Sequence, residues 1–230
     1  ALATVILPAL SKSHAGQKSE AFSLALDWAL RWVVLIGLPS ALGLMLLAEP
    51  ILSTLFQYNE FSSRDVVLAG QSLKAYSIGL LGFILIKVLV PGFTSRKDMA
   101  TPVRFGIYAM VANMILNILL VFKLAHAGLA LATSLSAFIN AGLLLSTLLR
   151  HKVYQPEKGW GIFFLRVITA CICMGSVLFY GLDTHAWFDW SVSERVWRLA
   201  AWISGAIGVY CLTLLISGLR FSHLTQKVNA

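Results

Sequence analysis

Charge is what this sequence has least of. Only 12% of its 230 residues are Asp, Glu, Lys or Arg, 58% are hydrophobic, and mean hydropathy is +0.80. Soluble domains carry about 25% charged residues. A chain this poor in charge cannot cover a globular surface with polar groups, so lipid must be its main solvent. Cysteine is scarce as well. Cys171, Cys173 and Cys211 all lie inside apolar runs, with no CxxC and no Cys/His metal spacing. That leaves free thiols packed in helices. The sequence holds no Walker A loop, no HExxH and no GxSxG. None of His14, His126, His151, His185 and His223 stands at useful spacing from a Ser or Cys nucleophile. These absences argue against an enzyme or an ATP-driven pump. No ten-residue alternation recurs, which argues against membrane strands.

Long apolar runs are what the sequence does have. A membrane-crossing helix needs roughly 20 mostly apolar residues. Six stretches qualify, at approximately 22–47, 67–91, 102–122, 128–149, 160–181 and 196–218. The opening ALATVILPAL has neither Met nor a charged n-region, so it is not a signal peptide. It reads as the last turns of a further helix, and the chain as a piece of a longer protein. The expected fold is all-α: a polytopic membrane helix bundle of about six full transmembrane helices plus the end of another. Each span must satisfy its own backbone. Pro39 and Pro91 should kink or end their helices. Gly79 with Gly82, Ala137 with Ala141, and Gly205 with Gly208 mark faces where helices can approach closely.

The connections alternate in charge. One set carries Lys12 and Lys18, then Arg96, Lys97 and Arg104, then Arg150, Lys152 and Lys158, then Arg220 and Lys227. The other carries Arg64, Lys123, Arg195 and Arg198 together with Glu49, Glu60, Asp65, Asp183, Asp189 and Glu194. The positive-inside rule puts the first set, and the C-terminus, in the cytoplasm. The formal charge of +8 therefore reads as topology and attraction to anionic lipid headgroups rather than as nucleic-acid binding. Trp160, Trp187, Trp190 and Trp197 lie near span ends, as an interfacial aromatic belt would.

Within the run from Ala75 to Val103, AYSIGLLGFILIKVLVPGFTSRKDMATPV, a single lysine, Lys87, stands in the apolar stretch. An intramembrane cation normally faces a partner or a water-filled pathway, so Lys87 is a candidate contact for an anionic substrate. The alternative is a lysine that snorkels to the interface near Pro91. Asn113 and Asn117 share a helix face, and Thr133 sits early in the next span after a short turn at Lys123–Ala127. Their oxygens could coordinate a small cation or hydrogen-bond between helices. Asp27 and Arg31, four apart, can pair near the cytoplasmic side. Arg166 begins its span near that side, and Lys74 lies near the outer end of its own.

The segments LPALSKS at 7–13, LPSALGL at 38–44, FQYNEF at 56–61, the run at 75–103 and HAGLALATSLSAFINAGLLL at 126–145, in this order and spacing, resemble the C-terminal half of MurJ (MviN)-type lipid II flippases. These belong to the multidrug/oligosaccharidyl-lipid/polysaccharide flippase superfamily. The resemblance implies a fourteen-helix fold with two lobes around a central cavity. Residues 1–150 would supply the end of helix 8 and helices 9–12. Residues 151–230 would supply two additional C-terminal helices, 13 and 14, with a lipid-tail groove and a cytoplasmic tail. The implied activity is translocation of lipid II, the undecaprenyl-pyrophosphate-linked peptidoglycan precursor, across a bacterial cytoplasmic membrane by alternating access. The implied partners are lipid II, membrane lipids and the missing N-terminal half. Lys87 matches a cavity-facing lysine. Asn113, Asn117 and Thr133 resemble positions of a sodium site, although Asn117 stands where an acid is expected and a further acidic ligand would lie upstream. Asn59 stands where the family commonly has Gly. No cofactor is implied; energy would come from sodium or from the membrane potential. Rival readings are a flippase of another lipid-linked oligosaccharide, a drug exporter of the same superfamily, and a non-transporting membrane scaffold.

Overall fold

The computed structural model describes residues 19–218 except 59 and 185, with side chains from Phe22 onward. The segment LPALSKS and Lys12, His14, Lys18, Asn59, His185, Arg220, His223 and Lys227 lie outside the described residues. The described chain is helical: α1 (Ser19–Leu46), α2 (Ala48–Phe56), α3 (Ser63–Leu89), α4 (Pro91–Thr94), α5 (Ala100–Arg150), α6 (Trp160–Gly181), a 3-10 turn (Ala186–Phe188) and α7 (Val192–Ile216). Among the described residues, five helical segments are long and apolar enough to cross a membrane. The longest, α5, is two antiparallel arms. Its backbone leaves helical geometry at Ala125, with φ 47° and ψ −123°. Asn113 Nδ2 then donates to Thr133 Oγ1 at 3.3 Å, whereas residues twenty apart on one straight helix would stand about 30 Å apart. The arms at 100–124 and 126–150 are thus the separate spans expected from hydropathy. Gly128 permits the close return, because a Cβ there would stand 2.5 Å from the Leu120 carbonyl oxygen.

Two starts lie earlier than the hydropathy windows suggest, at Ser63 and Val192. Each is set by a capping box. Ser62 and Asp65 bond reciprocally, as do Ser191 and Glu194, satisfying backbone N–H groups that the first turn leaves unpaired. Pro91 ends α3 and opens the short α4. It is tolerated there because the first helical position needs no N–H.

Helix α1 is the axis of the molecule. Phe22, Leu26, Leu30 and Val33 pack with Val88, Leu89 and Leu144 of α3 and α5 in one core. Val34, Leu35 and Leu47 pack with Val167, Met174 and Leu214 of α6 and α7 in a second. Helix α3 meets the second arm of α5 through small residues: a Cβ on Gly79 would come 2.7 Å from Ser134 Cα, and one on Gly82 3.1 Å from the Phe138 nitrogen. Ser134 Oγ donates to the Ala75 carbonyl at 2.7 Å. Gly205 and Gly208 have open space beside them, so the expected close approach is not made there among the described residues. The first arm of α5 turns Ile118 and Phe122 outward, Phe122 being 85% exposed, as a lipid-facing helix should.

Contacts join the connections in two groups that match the two charge sets. At the basic end Ser23 meets Gln155, Asp27 meets Tyr154 and Trp160, and Arg166 Nη1 donates to the Gly218 carbonyl at 3.3 Å. At the opposite end Lys74 pairs with Glu49 at 2.6 Å. There Trp187 Nε1 donates to Thr54 Oγ1 at 3.2 Å, and Arg195 donates to the carbonyls of Ser53 and Phe188 at 3.3 and 2.8 Å. Trp187 is 1% exposed. It is therefore a buried plug over the end of α2 rather than a member of the interfacial belt, while Trp197 is 75% exposed and fits that belt.

Candidate functional site

A groove of about 410 Å³ lies between α1, α6 and α7, bounded at the Glu49 end by Leu47 and Ile51. Its wall is almost wholly apolar, with Pro39, Met174 and Ala206 at depth and Ile36, Ile203 and Ile207 toward the mouth. The groove follows from α1. Pro39 has no N–H, so the carbonyl four residues earlier, on Leu35, loses its helical partner. In hydrocarbon such a group must be satisfied from elsewhere. The Tyr210 hydroxyl donates to that carbonyl at 2.7 Å. One tyrosine therefore supplies the missing donor and ties α7 to α1 beside the proline. Proline pattern alone predicts a weak point in α1; the partner 175 residues away has no signal in the sequence.

Lys87 lies in the last turn of α3, seven residues or about 10 Å before the end of α4. Its side chain is exposed and has no hydrogen-bond or ion-pair partner among the described residues. Tyr76, also exposed, stands eleven residues earlier on the same stripe of α3, with Leu80 and Phe83 between them. The opposite stripes are taken up by α1 and α5.

Asn113, Asn117 and Thr133 come together at the seam of the α5 arms, joined by Ser136. Asn113 Nδ2 donates to Thr133 Oγ1 and to Ser136 Oγ, both at 3.3 Å, and Asn117 Nδ2 donates to Asn113 Oδ1 at 2.8 Å. Ser136, three residues after Thr133, completes the cluster; its spacing could have flagged it. Each of these oxygens already accepts an amide proton. Asn117 Oδ1 alone is buried without a partner. The four side chains thus form a polar seam between the arms. Among the described residues no group of His, Cys, Asp and Glu could hold a metal.

Asp27 and Arg31 do pair, at 2.8 Å, inside a larger net. The buried Asp27 carboxylate also accepts from Tyr154 Oη at 2.8 Å, the Glu157 N–H at 3.2 Å and Trp160 Nε1 at 2.7 Å. Arg31 lies over the Trp160 ring, 5.2 Å from its centroid. Burial, and then the Asp27 carboxylate it bonds to, hold the Tyr154 phenol well above its ordinary range. The net ties the 151–160 connection to α1 and so fixes where α6 begins.

The sequence profile of the lipid II flippase MurJ family matches residues 1–201. The probable lipid II flippase MurJ of Vibrio cholerae is 45% identical over 225 residues, 97% of this chain and 43% of its own length. That of Haemophilus influenzae is 39% identical over 234 residues, 99% of this chain and 46% of its own. The lipid II flippase MurJ of Burkholderia cenocepacia is 33% identical over 231 residues, 100% and 45% respectively. The fold is similar to a solved structure of lipid II flippase MurJ in an inward closed conformation. The TM-score is 0.72 at 24% identity, over 95% of this chain and 42% of that one. This chain spans less than half the length of these curated relatives. Multi-pass, with long apolar helices among its described residues, and matched by profile, sequence and fold, the chain belongs to the lipid II flippase MurJ family.

Proposed function

We propose that this chain is the second lobe and tail-binding part of a lipid II flippase, which carries the undecaprenyl-pyrophosphate-linked peptidoglycan precursor from the inner to the outer leaflet of the bacterial cytoplasmic membrane. The family membership supports the substrate. The single observation that carries the chain's own share is the apolar groove between α1, α6 and α7. Its lining suits a long isoprenoid tail and offers nothing to a sugar or peptide headgroup, which would need paired polar partners. The ends bearing Arg96, Arg104 and Arg150 face the cytoplasm in this reading, by the positive-inside rule.

Lys87 is the chain's contact with the pyrophosphate. It stands exposed on a stripe of α3 that neither α1 nor α5 covers, and a cation with no partner in the chain has its charge free for a diphosphate. The helices at 160–181 and 196–218 correspond to the two additional C-terminal helices of the fold. The protein is a transporter rather than an enzyme, and alternating access would come from motion of this lobe against the lobe upstream. The test is rescue. The full-length gene would be expressed in cells depleted of their own lipid II flippase, and arrival of lipid II on the outer face assayed. Restored growth and flipping are expected. Stable insertion without lipid II arrival would move the function to another lipid-linked sugar or to a scaffold.

A further inference from the structure

A second cavity, of about 240 Å³, lies at the basic end between the segment after α3 and the end of α5. Its floor is apolar, made by Phe93, Leu148 and Val153, and its mouth is polar, made by Arg96, His151, Thr101 and Asp98. Two helices end side by side here in the same way. Asp98 N–H reaches the Phe93 carbonyl and Lys97 N–H the Thr94 carbonyl; Val153 N–H reaches the Leu148 carbonyl and Lys152 N–H the Leu149 carbonyl. Both are Schellman endings, whose left-handed position is usually glycine. Here it is lysine in both, Lys97 at φ 60° and Lys152 at φ 53°, a conformation that costs an L side chain and not glycine. The residues immediately before them, Arg96 and His151, line the cavity mouth, and their side chains make no hydrogen bond or ion pair among the described residues.

Part of this charge answers the helix ends, since each C-terminus carries about half a negative charge. That accounts for roughly one unit, and Asp98 for one more. Asp98 is already engaged, accepting from the Thr101 N–H at 3.0 Å. Against these stand Arg96, Lys97, Arg104, Arg150 and Lys152. The excess is positive; Arg96 lines the cavity itself, the other four stand within three residues of its lining in the sequence, and the cavity has an apolar floor.

We propose that this cavity binds the phosphate of an anionic phospholipid headgroup from the cytoplasmic leaflet, with Arg96 and His151 as its donors and the apolar floor under the glycerol. The site is separate from the tail groove and from Lys87. It rests on the proposed orientation only for the leaflet it faces, and not on which substrate is carried. A free phosphate shares the headgroup chemistry but has no use for the apolar floor, which is why the lipid is the assigned ligand.

The test uses the full-length protein in nanodiscs of phosphatidylcholine, with or without about one third phosphatidylglycerol, and reads lipid retained after mild extraction by native mass spectrometry. Wild type should retain phosphatidylglycerol. The double variant Arg96→Gln, His151→Gln should retain at least about fivefold less, the factor that one cation near an anionic surface provides. Arg64→Gln, at the opposite end, should retain as much as wild type. Because the double variant could unfold, amide exchange of wild type over 91–101 and 147–153 provides a second reading. It should slow when phosphatidylglycerol is present. Slowing by millimolar inorganic phosphate in pure phosphatidylcholine, without any phosphatidylglycerol preference, would overturn the lipid assignment in favour of a soluble phosphate. Equal retention by the double variant, with exchange unmoved by either probe, would overturn the site altogether and leave these cations as helix-end caps. None of these readings depends on flipping.

Discussion

Removing the hydroxyl of Tyr210 should loosen α7 from α1, and should do so only while residue 39 is proline. The Leu35 carbonyl has no helical donor because Pro39 lacks an N–H, and the groove around it is apolar. Tyr210→Phe keeps the ring and its packing, so the perturbation is one hydrogen bond. Such bonds between membrane helices average about 0.6 kcal/mol and reach about 2 kcal/mol. Here no alternative partner exists in the helix, so the upper part of that range applies, about 1–2 kcal/mol. Pro39→Ala supplies the missing N–H at the right position. In that background the carbonyl is already satisfied, and Tyr210→Phe should cost about 0.6 kcal/mol or less. A double-mutant cycle on the full-length protein, read by reversible unfolding in mixed micelles, should therefore give a coupling near 1 kcal/mol. Additivity of the two substitutions to within about 0.3 kcal/mol would refute the claim that the tyrosine answers the proline.

Asp27→Ala should cost about 3 kcal/mol of stability, measured by the same unfolding, because it strands Arg31, Tyr154 and Trp160 at once. A cost below 1 kcal/mol would mean the net is not cohesive. Gly79→Val should destabilise by about 1–3 kcal/mol, since its Cβ would meet the backbone of Ser134, whereas Gly205→Val, with open space beside it, should change little. Hydrogen bonding to the Thr101 side chain, and then to its backbone N–H, holds the Asp98 carboxyl below the usual carboxylate range. Its capping contribution is therefore complete above the ordinary carboxylate pKa and lost as pH falls through the lower folded value. Protection of the Thr101 amide, taken relative to the intrinsic exchange rate at each pH, should fall over that acidic window, and unchanged protection would contradict the cap. Lys87→Ala in the full-length protein should weaken substrate engagement and leave membrane insertion intact; normal flipping by that variant would remove Lys87 from the site.

The spans were legible because hydropathy and length act along the chain. Even the reversal at Ala125 was marked by Lys123 and His126 between two apolar runs. The starts at Ser63 and Val192 were also written locally, in the Ser62–Asp65 and Ser191–Glu194 spacings, but a hydropathy window is blind to a capping box. Contacts between distant elements were not legible. Asp27 showed its neighbour Arg31, yet nothing marked Trp160 and Tyr154 as its other partners. Trp187 looked interfacial from its place near a span end. Its burial follows from α2, a short helix whose Thr54 gives the indole a partner. Pro39 announced a missing hydrogen bond without naming its remedy. The family resemblance implies a lipid-tail groove at 160–181 and 196–218; that the apolar groove in the structure is also walled by α1 is something only packing shows.

The central claim is that this chain's groove holds the isoprenoid tail of lipid II. It is tested most directly by photocrosslinking in the full-length protein, with a photoreactive residue at Ile207 in the groove mouth or at Phe122 on the outward arm of α5. Both side chains are exposed, at 57% and 85%, so both meet lipid. The account predicts radiolabelled lipid II adducts at Ile207 well above those at Phe122, and competition at Ile207 alone by unlabelled lipid II. Equal labelling at the two positions, uncompeted at both, would show that the groove is ordinary lipid-facing surface.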